Sequence, residues 1–200
     1  MSPSPVVFDV EAYFQEFADS SAMQEASRFK TVPTGNYQAQ VTKREGRYFE
    51  LKVGKSGEYW SPVFSDSTEV NLNWRKGVNL SADLFNGSDK KVSSVRIEAS
   101  WEAKRDARNG KLDRLFTRWE QITRALYPNL KAEERAAKST GDVLTALSQY
   151  PVKVYITETF KVPAIDGSNK WITPATEEET KQYREAGYEV RNFVVNISKA

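Results

Sequence analysis

Aromatic rings and cations alternate closely between residues 43 and 75, and this combination of side chains suits unpaired nucleic-acid bases. An exposed ring that stacks on a base contributes about 1–3 kcal/mol, and a neighbouring Lys or Arg neutralises the phosphate beside it. The spacing predicts stacking positions at Tyr48, Tyr59 and Trp74. Phosphate contacts are predicted for a set of basic residues in the same stretch: Lys43, Arg44, Arg47, Lys52 and Arg75.

Packing in the core or at a sheet edge is the alternative interpretation for Tyr59 and for its neighbour Trp60. We favour it for Trp60, because Pro62 and Phe64 continue an apolar set around it. Trp74 stays open, since its spacing from Val70 and Leu72 places it on a buried strand face.

A second basic stretch lies between residues 104 and 111, where Asn109-Gly110 predicts a tight turn or a flexible loop. Lys104, Arg105 and Arg108 would follow a phosphate backbone without reading bases, with an affinity that falls steeply as salt rises. A solvated polar loop is the alternative.

Catalysis is constrained by the absence of histidine and cysteine from all 200 residues. These side chains supply the commonest general base near pH 7, the thiolate nucleophile and the usual ligands of zinc, copper and iron. Glu102-Ala-Lys104 matches one half of the metal-dependent nuclease pattern. Its acidic partner would have to be Asp83 or Asp89, and neither follows a proline. We therefore predict no catalytic activity, no metal and no cofactor, with a nuclease as the third hypothesis.

Composition indicates an ordinary globular protein with 28% charged and 39% hydrophobic residues and a formal net charge of +2. The chain contains no apolar run of membrane-spanning length, and Met1-Ser-Pro-Ser-Pro lacks the pattern of a secretion signal. We expect no membrane partner and a cytoplasmic location, which would be the host cytoplasm for a phage-encoded chain.

Strands are predicted to dominate the first half of the chain. Asp9 can cap an N-terminal helix, and the period then changes to two. Residues 37–41 and 49–53 are predicted to form a hairpin that turns at Glu45-Gly46, followed by strands at 70–74 and 95–101.

Helices are predicted to follow. A period of 3.6 runs from Leu112 to Leu126, and further helix is expected from Lys131, interrupted near Gly141 and restarted with Asp142 as its cap. Closing strands are predicted at residues 152–160 and 188–197, with a short helix starting at Glu177 between them.

The elements predict an α+β fold that is mainly antiparallel β, an OB-like barrel with a helical insertion and an N-terminal helix. Residues 1–30 would form the N-terminal helix and arm. Residues 31–200 would form a single domain with the insertion at about 104–150. A β-sandwich of similar strand count is the alternative architecture.

Several of these segments resemble bacteriophage-type single-stranded DNA-binding proteins. The segments are Pro33-Thr-Gly-Asn-Tyr-Gln-Ala-Gln-Val41, Tyr48-Phe-Glu-Leu-Lys-Val53, Tyr150-Pro-Val-Lys-Val-Tyr-Ile156 and residues 188–197. The resemblance implies an OB-fold that coats single-stranded DNA during phage replication or recombination.

The leading hypothesis is therefore non-catalytic, sequence-tolerant binding of single-stranded DNA. Replication or recombination proteins and a second copy of the chain stay open as further partners. The main alternative is a protein-interaction or virion-assembly module.

Overall fold

The computed structural model describes residues 31–54, 57–63, 71, 73–87, 89–105, 110–165 and 167–200. Thr31–Ala200 form one compact unit. Its elements, in chain order, are β1 (Gly35–Gly54), β2 (Gly57–Pro62), β3 (Arg75–Phe85), β4 (Lys91–Ala99), α1 (Arg114–Leu126), α2 (Ala132–Ala136), α3 (Thr140–Gln149), β5 (Val152–Pro163), β6 (Asn169–Ile172), α4 (Glu177–Glu185) and β7 (Val190–Lys199). The predicted N-terminal helix lies outside the described residues.

All of the strand pairs are antiparallel. β1 pairs with β3 along most of its length, with β5 near its start and with β2 near its end. β3 also pairs with β4, and β5 pairs with β6 and β7. The prediction of an α+β fold dominated by antiparallel strands is confirmed.

β1 is one continuous strand, so the predicted turn at Glu45-Gly46 is wrong. Glu45 pairs with Asn79 and Gly46 with Val78 in the middle of the β1–β3 ladder. The carboxylate of Glu45 is held by Lys43 at 2.5 Å and by Arg47 at 2.8 Å, which allows an acidic residue within a strand. The irregularity is instead a register shift between Val41 and Lys43, which exchanges the two faces of the strand.

β3 was not predicted in its observed position. Of the strand predicted at residues 70–74, only Asn71, Asn73 and Trp74 are described, and Trp74 lies just before β3. Within β3, buried Val78, Leu80, Ala82 and Leu84 alternate with more polar residues. That period of two was the available sequence signal.

The core lies between the sheet and helices α1 and α3. Ile122 and Val143, from the two helices, are buried in the same cluster as Ile97 of β4 and Val154 of β5. α1 contacts both β4 and β7, two strands that are not paired with each other within the described residues. The helix therefore covers the gap between these two strands.

The helices begin and end largely as the sequence predicts. The apolar stripe from Leu112 forms α1, which stops before Pro128. The segment after Lys131 divides into α2 and α3, but the cap of α3 is Ser139, whose hydroxyl accepts from the backbone N–H of Asp142. The predicted capping role of Asp142 is wrong, because Asp142 already lies inside the first turn.

The second half of the sheet follows the predicted order. β5, α4 and β7 form where strand, helix and strand were expected, whereas β2 and β6 are additional short strands. α4 is attached to β5 by Arg184, which donates to both carboxylate oxygens of buried Glu158 at 2.7 Å. Burial and the charge of Glu158 raise the pKa of nearby Tyr37.

A buried ion pair joins β3, β4 and α1 at one corner of the unit. The guanidinium of Arg75 is fully buried and donates to the carboxylate of Asp113 at 2.6 Å and to the hydroxyl of Ser100 at 2.8 Å. It also donates to the backbone oxygen of Glu102. The other oxygen of Asp113 caps α1 by accepting from the backbone N–H groups of Leu115 and Phe116.

We predict that Asp113→Ala lowers the free energy of unfolding by about 3–5 kcal/mol, because it leaves the Arg75 charge buried without its carboxylate and removes a helix cap. Urea unfolding followed by circular dichroism measures this. Asp142→Ala is the matched control, since that exposed carboxylate should contribute below about 1 kcal/mol. Equal effects of the two substitutions would contradict the central role of the ion pair.

We also predict that Gly77→Ala destabilises the fold by about 1–3 kcal/mol through overpacking. A Cβ atom at Gly77 would overlap the backbone oxygen of Ala99 and lie 2.5 Å from a ring carbon of Phe49. At Gly46, on the neighbouring strand, nothing lies within 4 Å of the place that a methyl group would take, so Gly46→Ala should be near neutral. Thermal melting of both variants tests the contrast.

Candidate nucleic-acid interface

Tyr48, Trp74 and Lys76 lie together on one face of the sheet. Tyr48 is paired directly with Lys76 in the β1–β3 ladder, and directly opposed residues project to the same side. The rings of Tyr48 and Trp74 are tilted by 42° with centroids 5.9 Å apart, and both residues are half-buried. The structure thus brings together two rings that the sequence separates by 26 positions.

Lys52 and Tyr59 extend the same face along the β1–β2 hairpin. Lys52 is paired with Tyr59, and it lies four positions from Tyr48 on the alternating strand. The Tyr59 residue is 52% exposed, so its ring is accessible to a ligand. Lys52 lies 2.9 Å from Glu50, whose hydrogen bond and charge raise the pKa of the lysine.

Arg44 lies on this face as well, at the end nearest the helices. Its partner across the ladder is Leu80, and its guanidinium donates to the backbone oxygen of Leu144 in α3 at 2.7 Å. We call the whole surface the hairpin face, which consists of Arg44, Tyr48, Lys52, Tyr59, Trp74 and Lys76. The face contains three basic residues. Of the acidic residues on β1, Glu50 projects to the same side, because it lies two positions from both Tyr48 and Lys52.

Lys43 and Arg47 project to the opposite face, although they were predicted to surround a turn beside Tyr48. β1 continues without a turn, and its alternation places them in line with Glu45, on the side away from Tyr48. Hydrogen bonds from Lys43 and then Arg47 lower the pKa of the Glu45 carboxyl, so one carboxylate serves both cations. These two residues remain candidates for phosphate contact, but on a different surface.

Arg75 does not fit its predicted role. Its side chain is fully buried, it is paired with Asp113, and its guanidinium carbon lies 5.2 Å from the centre of the Trp60 ring. A phosphate cannot reach it without opening that corner of the fold. The packing interpretation of Trp60 agrees with this contact.

The second predicted basic stretch is only partly described. Lys104 and Arg105 are exposed, and Arg105 donates to the backbone oxygen of Gly110 at 2.8 Å. Arg108 lies outside the described residues. Arg105 also forms an isolated β-bridge with Leu112, which brings the two ends of this loop together.

The structure separates Glu102 from Asp83, one of the two acidic partners predicted for the nuclease pattern. Asp83 is paired with Ser94, whereas Glu102 lies three residues beyond Ala99, at the other end of the β3–β4 ladder. The carboxylate of Asp83 is held by Ser94 at 2.8 Å and by Lys91 at 2.9 Å. Among the described residues, no group of three or more acidic side chains is arranged to hold a metal ion.

One cluster was missed by the sequence analysis. Arg114 and Arg118, one turn apart on α1, lie 4.6 Å and 5.6 Å from the centre of the Phe193 ring. Arg191, two positions before Phe193 on β7, stacks 3.8 Å from the centre of the Trp171 ring. We call this cluster the arginine stripe. The i, i+4 spacing on α1 was visible in the sequence, but only the fold brings α1 next to β7.

The electrostatic environment of the arginine stripe is strongly positive. Burial lowers the pKa of Arg118 to about 10, and the charge of Arg114 acts in the same direction while Glu98 opposes it. Burial is also the main cause that lowers the pKa of Arg114, and burial together with Arg114 lowers that of Arg191. Such shifts arise where cations crowd one another away from water.

None of the helices in the described ranges is long and apolar enough to cross a bilayer.

Comparisons of the chain with protein-family models, with curated proteins and with solved structures found no match. The interpretation of the site therefore depends on its geometry and chemistry alone.

Proposed function

We propose that the chain binds single-stranded DNA without sequence preference and acts as a binding protein rather than an enzyme. The observation that carries the proposal is the hairpin face, where accessible rings and cations lie on one side of a single hairpin and its neighbouring strand. Bases would stack on Tyr48, Trp74 and Tyr59, while Lys52, Lys76 and Arg44 would neutralise phosphates.

We further propose that the sheet is an OB-like barrel, and the order in which its strands pair supports this. β1 pairs with β3 and β5, β3 pairs with β4, and β5 pairs with β7, with the helices inserted between β4 and β5. OB barrels are five-stranded and often partly open, which accords with the gap between β4 and β7 that α1 covers. β2 and β6 are then additions to the barrel.

The dimensions of the hairpin face suit an extended strand. Residues on one face of a β-strand are spaced about 7 Å apart, so Tyr48 and Lys52, which are four positions apart, are separated by about 13 Å along the strand. That length allows two or three successive nucleotides to contact the face.

A role in phage-type replication or recombination, in the host cytoplasm, follows from the sequence resemblance and belongs to the same proposal.

We predict that Tyr59→Ala weakens binding of oligo(dT) by about 1–3 kcal/mol through loss of one stacking contact. Tryptophan fluorescence titration at several salt concentrations measures this, because Trp74 lies beside the expected bases. Tyr150→Ala is the matched control, since Tyr150 is 62% exposed but follows α3 and belongs to none of the strands that carry the stacking rings. Absence of oligo(dT) binding by the unaltered protein at low salt would refute the proposed function.

A second candidate function is protein interaction, favoured by the reverse side of the same hairpin. Leu51 and Val53 are 47% and 80% exposed there, and they alternate with Lys52 on the strand. Val53→Asp should leave oligo(dT) affinity unchanged if DNA binding at the hairpin face is the main function. Light scattering of both proteins would reveal self-association through this apolar side, which Val53→Asp would abolish.

A further inference from the structure

Two guanidinium groups of the arginine stripe are held in place by aromatic rings and not by salt bridges to carboxylates. In the described part of the chain, neither Arg114 nor Arg191 forms a salt bridge within 4.0 Å of an acidic oxygen. Each is held instead against an aromatic ring, Arg114 over Phe193 and Arg191 over Trp171. Stacking leaves the N–H groups at the edge of a guanidinium free to donate.

Arg118 fixes the position of these groups relative to each other. Its side chain is buried, and it donates to the backbone oxygen of Val194 in β7. This bond attaches α1 to β7 at the level of Phe193. Arg114 lies one turn earlier on the helix and is thereby held over the ring of Phe193. Phe193 lies two positions after Arg191 on β7.

Two acidic residues act on the arginines of the stripe. Glu98 of β4 acts on Arg114 and Arg118, and Glu189 acts on Arg191. Glu189 is shared, because its carboxylate lies 3.0 Å from the ammonium group of Lys161. Three guanidinium groups crowd here with little compensation, an arrangement that favours a ligand with negative charge.

We propose that Arg114 and Arg191 bind backbone phosphates of single-stranded nucleic acid, with Arg118 as a positioning residue, so that the arginine stripe forms a second contact surface besides the hairpin face. The inference rests on the proposed function. A guanidinium recognises phosphate oxygens through two parallel hydrogen bonds, and the adjoining rings of Phe193 and Trp171 tolerate any base.

The stripe differs from the hairpin face in what it contributes. Its exposed arginines, Arg114 and Arg191, would supply charge neutralisation, whereas the hairpin face supplies rings for stacking. Because the two surfaces involve different elements, a short oligonucleotide can occupy one of them alone. A longer strand can contact both, so the stripe should matter most for long strands.

The test compares Arg114→Gln/Arg191→Gln with the unaltered protein on oligo(dT) of about 6 and about 30 nucleotides, one length within the usual range for one OB-fold and one well beyond it. On the long strand we expect roughly tenfold weaker binding and a log–log salt slope that is shallower by about 1.4, because two phosphate contacts are lost. Affinity for the short strand should change little. Arg124→Gln is the matched control, as Arg124 is an exposed arginine of the same helix that belongs to neither surface.

The outcomes separate this inference from the proposed function. An unchanged affinity and salt slope of the double variant on the long strand, at an unchanged urea midpoint, would overturn the stripe while Tyr59→Ala still tests the hairpin face. Weaker binding of both lengths by the double variant, with no effect of Tyr59→Ala, would support the stripe and refute the hairpin face. If the unaltered protein binds neither length, both proposals fail.

If the double variant proves less stable, Arg114→Lys/Arg191→Lys replaces it. Lysine keeps the charge but lacks the planar fork, so binding to the long strand should weaken while the salt slope is largely retained. An affinity equal to that of the unaltered protein would overturn the bidentate contact proposed for these two residues.

Discussion

The buried pair of Arg75 and Asp113 is the constraint on which the arrangement of both surfaces depends. It joins the first residue of β3 to the residue that caps α1, and through Ser100 and the Glu102 carbonyl it includes the end of β4. Trp74 of the hairpin face directly precedes Arg75, and Arg114 of the arginine stripe directly follows Asp113. Removing one member of a buried pair costs more than the pair contributes, because the other charge loses its compensation. One corner therefore sets the positions of two otherwise separate groups of residues.

Most elements of this fold could be predicted because their sequences carry a clear period. The stripe from Leu112 to Leu126 and the alternation after Val152 are local patterns, and tertiary contacts reinforce them. The turn at Glu45-Gly46 was mispredicted for a local reason too, since Glu-Gly is polar and flexible by itself. What keeps the chain extended there is β3, together with two cations that hold the Glu45 carboxylate. Neither of these is a property of the dipeptide.

The residue types of the candidate site could be predicted from the sequence, but the face of the sheet on which each side chain lies could not. Counting bases from Lys43 to Lys52 groups residues that the alternation of one continuous strand divides between two faces. The predicted turn at Glu45-Gly46 would have interrupted that alternation. Tyr48 and Lys52 share a face because they are four positions apart, whereas Lys43 and Arg47 lie on the other face. The burial of Arg75 could not be predicted either, because no local pattern indicates that it pairs with a carboxylate 38 positions later in the sequence.

The number of charged residues in a stretch of sequence is also a poor measure of the electrostatic potential at the surface that a ligand contacts. On the hairpin, Glu45 and Glu50 each lie within 3 Å of a basic group, so part of the apparent surplus is already compensated. Around Phe193 the opposite holds: the sequence near Arg191 shows no cluster of bases, yet α1 adds two further guanidinium groups. The charge of Arg114 acts on both Arg118 and Arg191, so these cations repel one another. A phosphate would relieve that repulsion, which is why we assign the stronger electrostatic contribution to the stripe and the stacking contribution to the hairpin face.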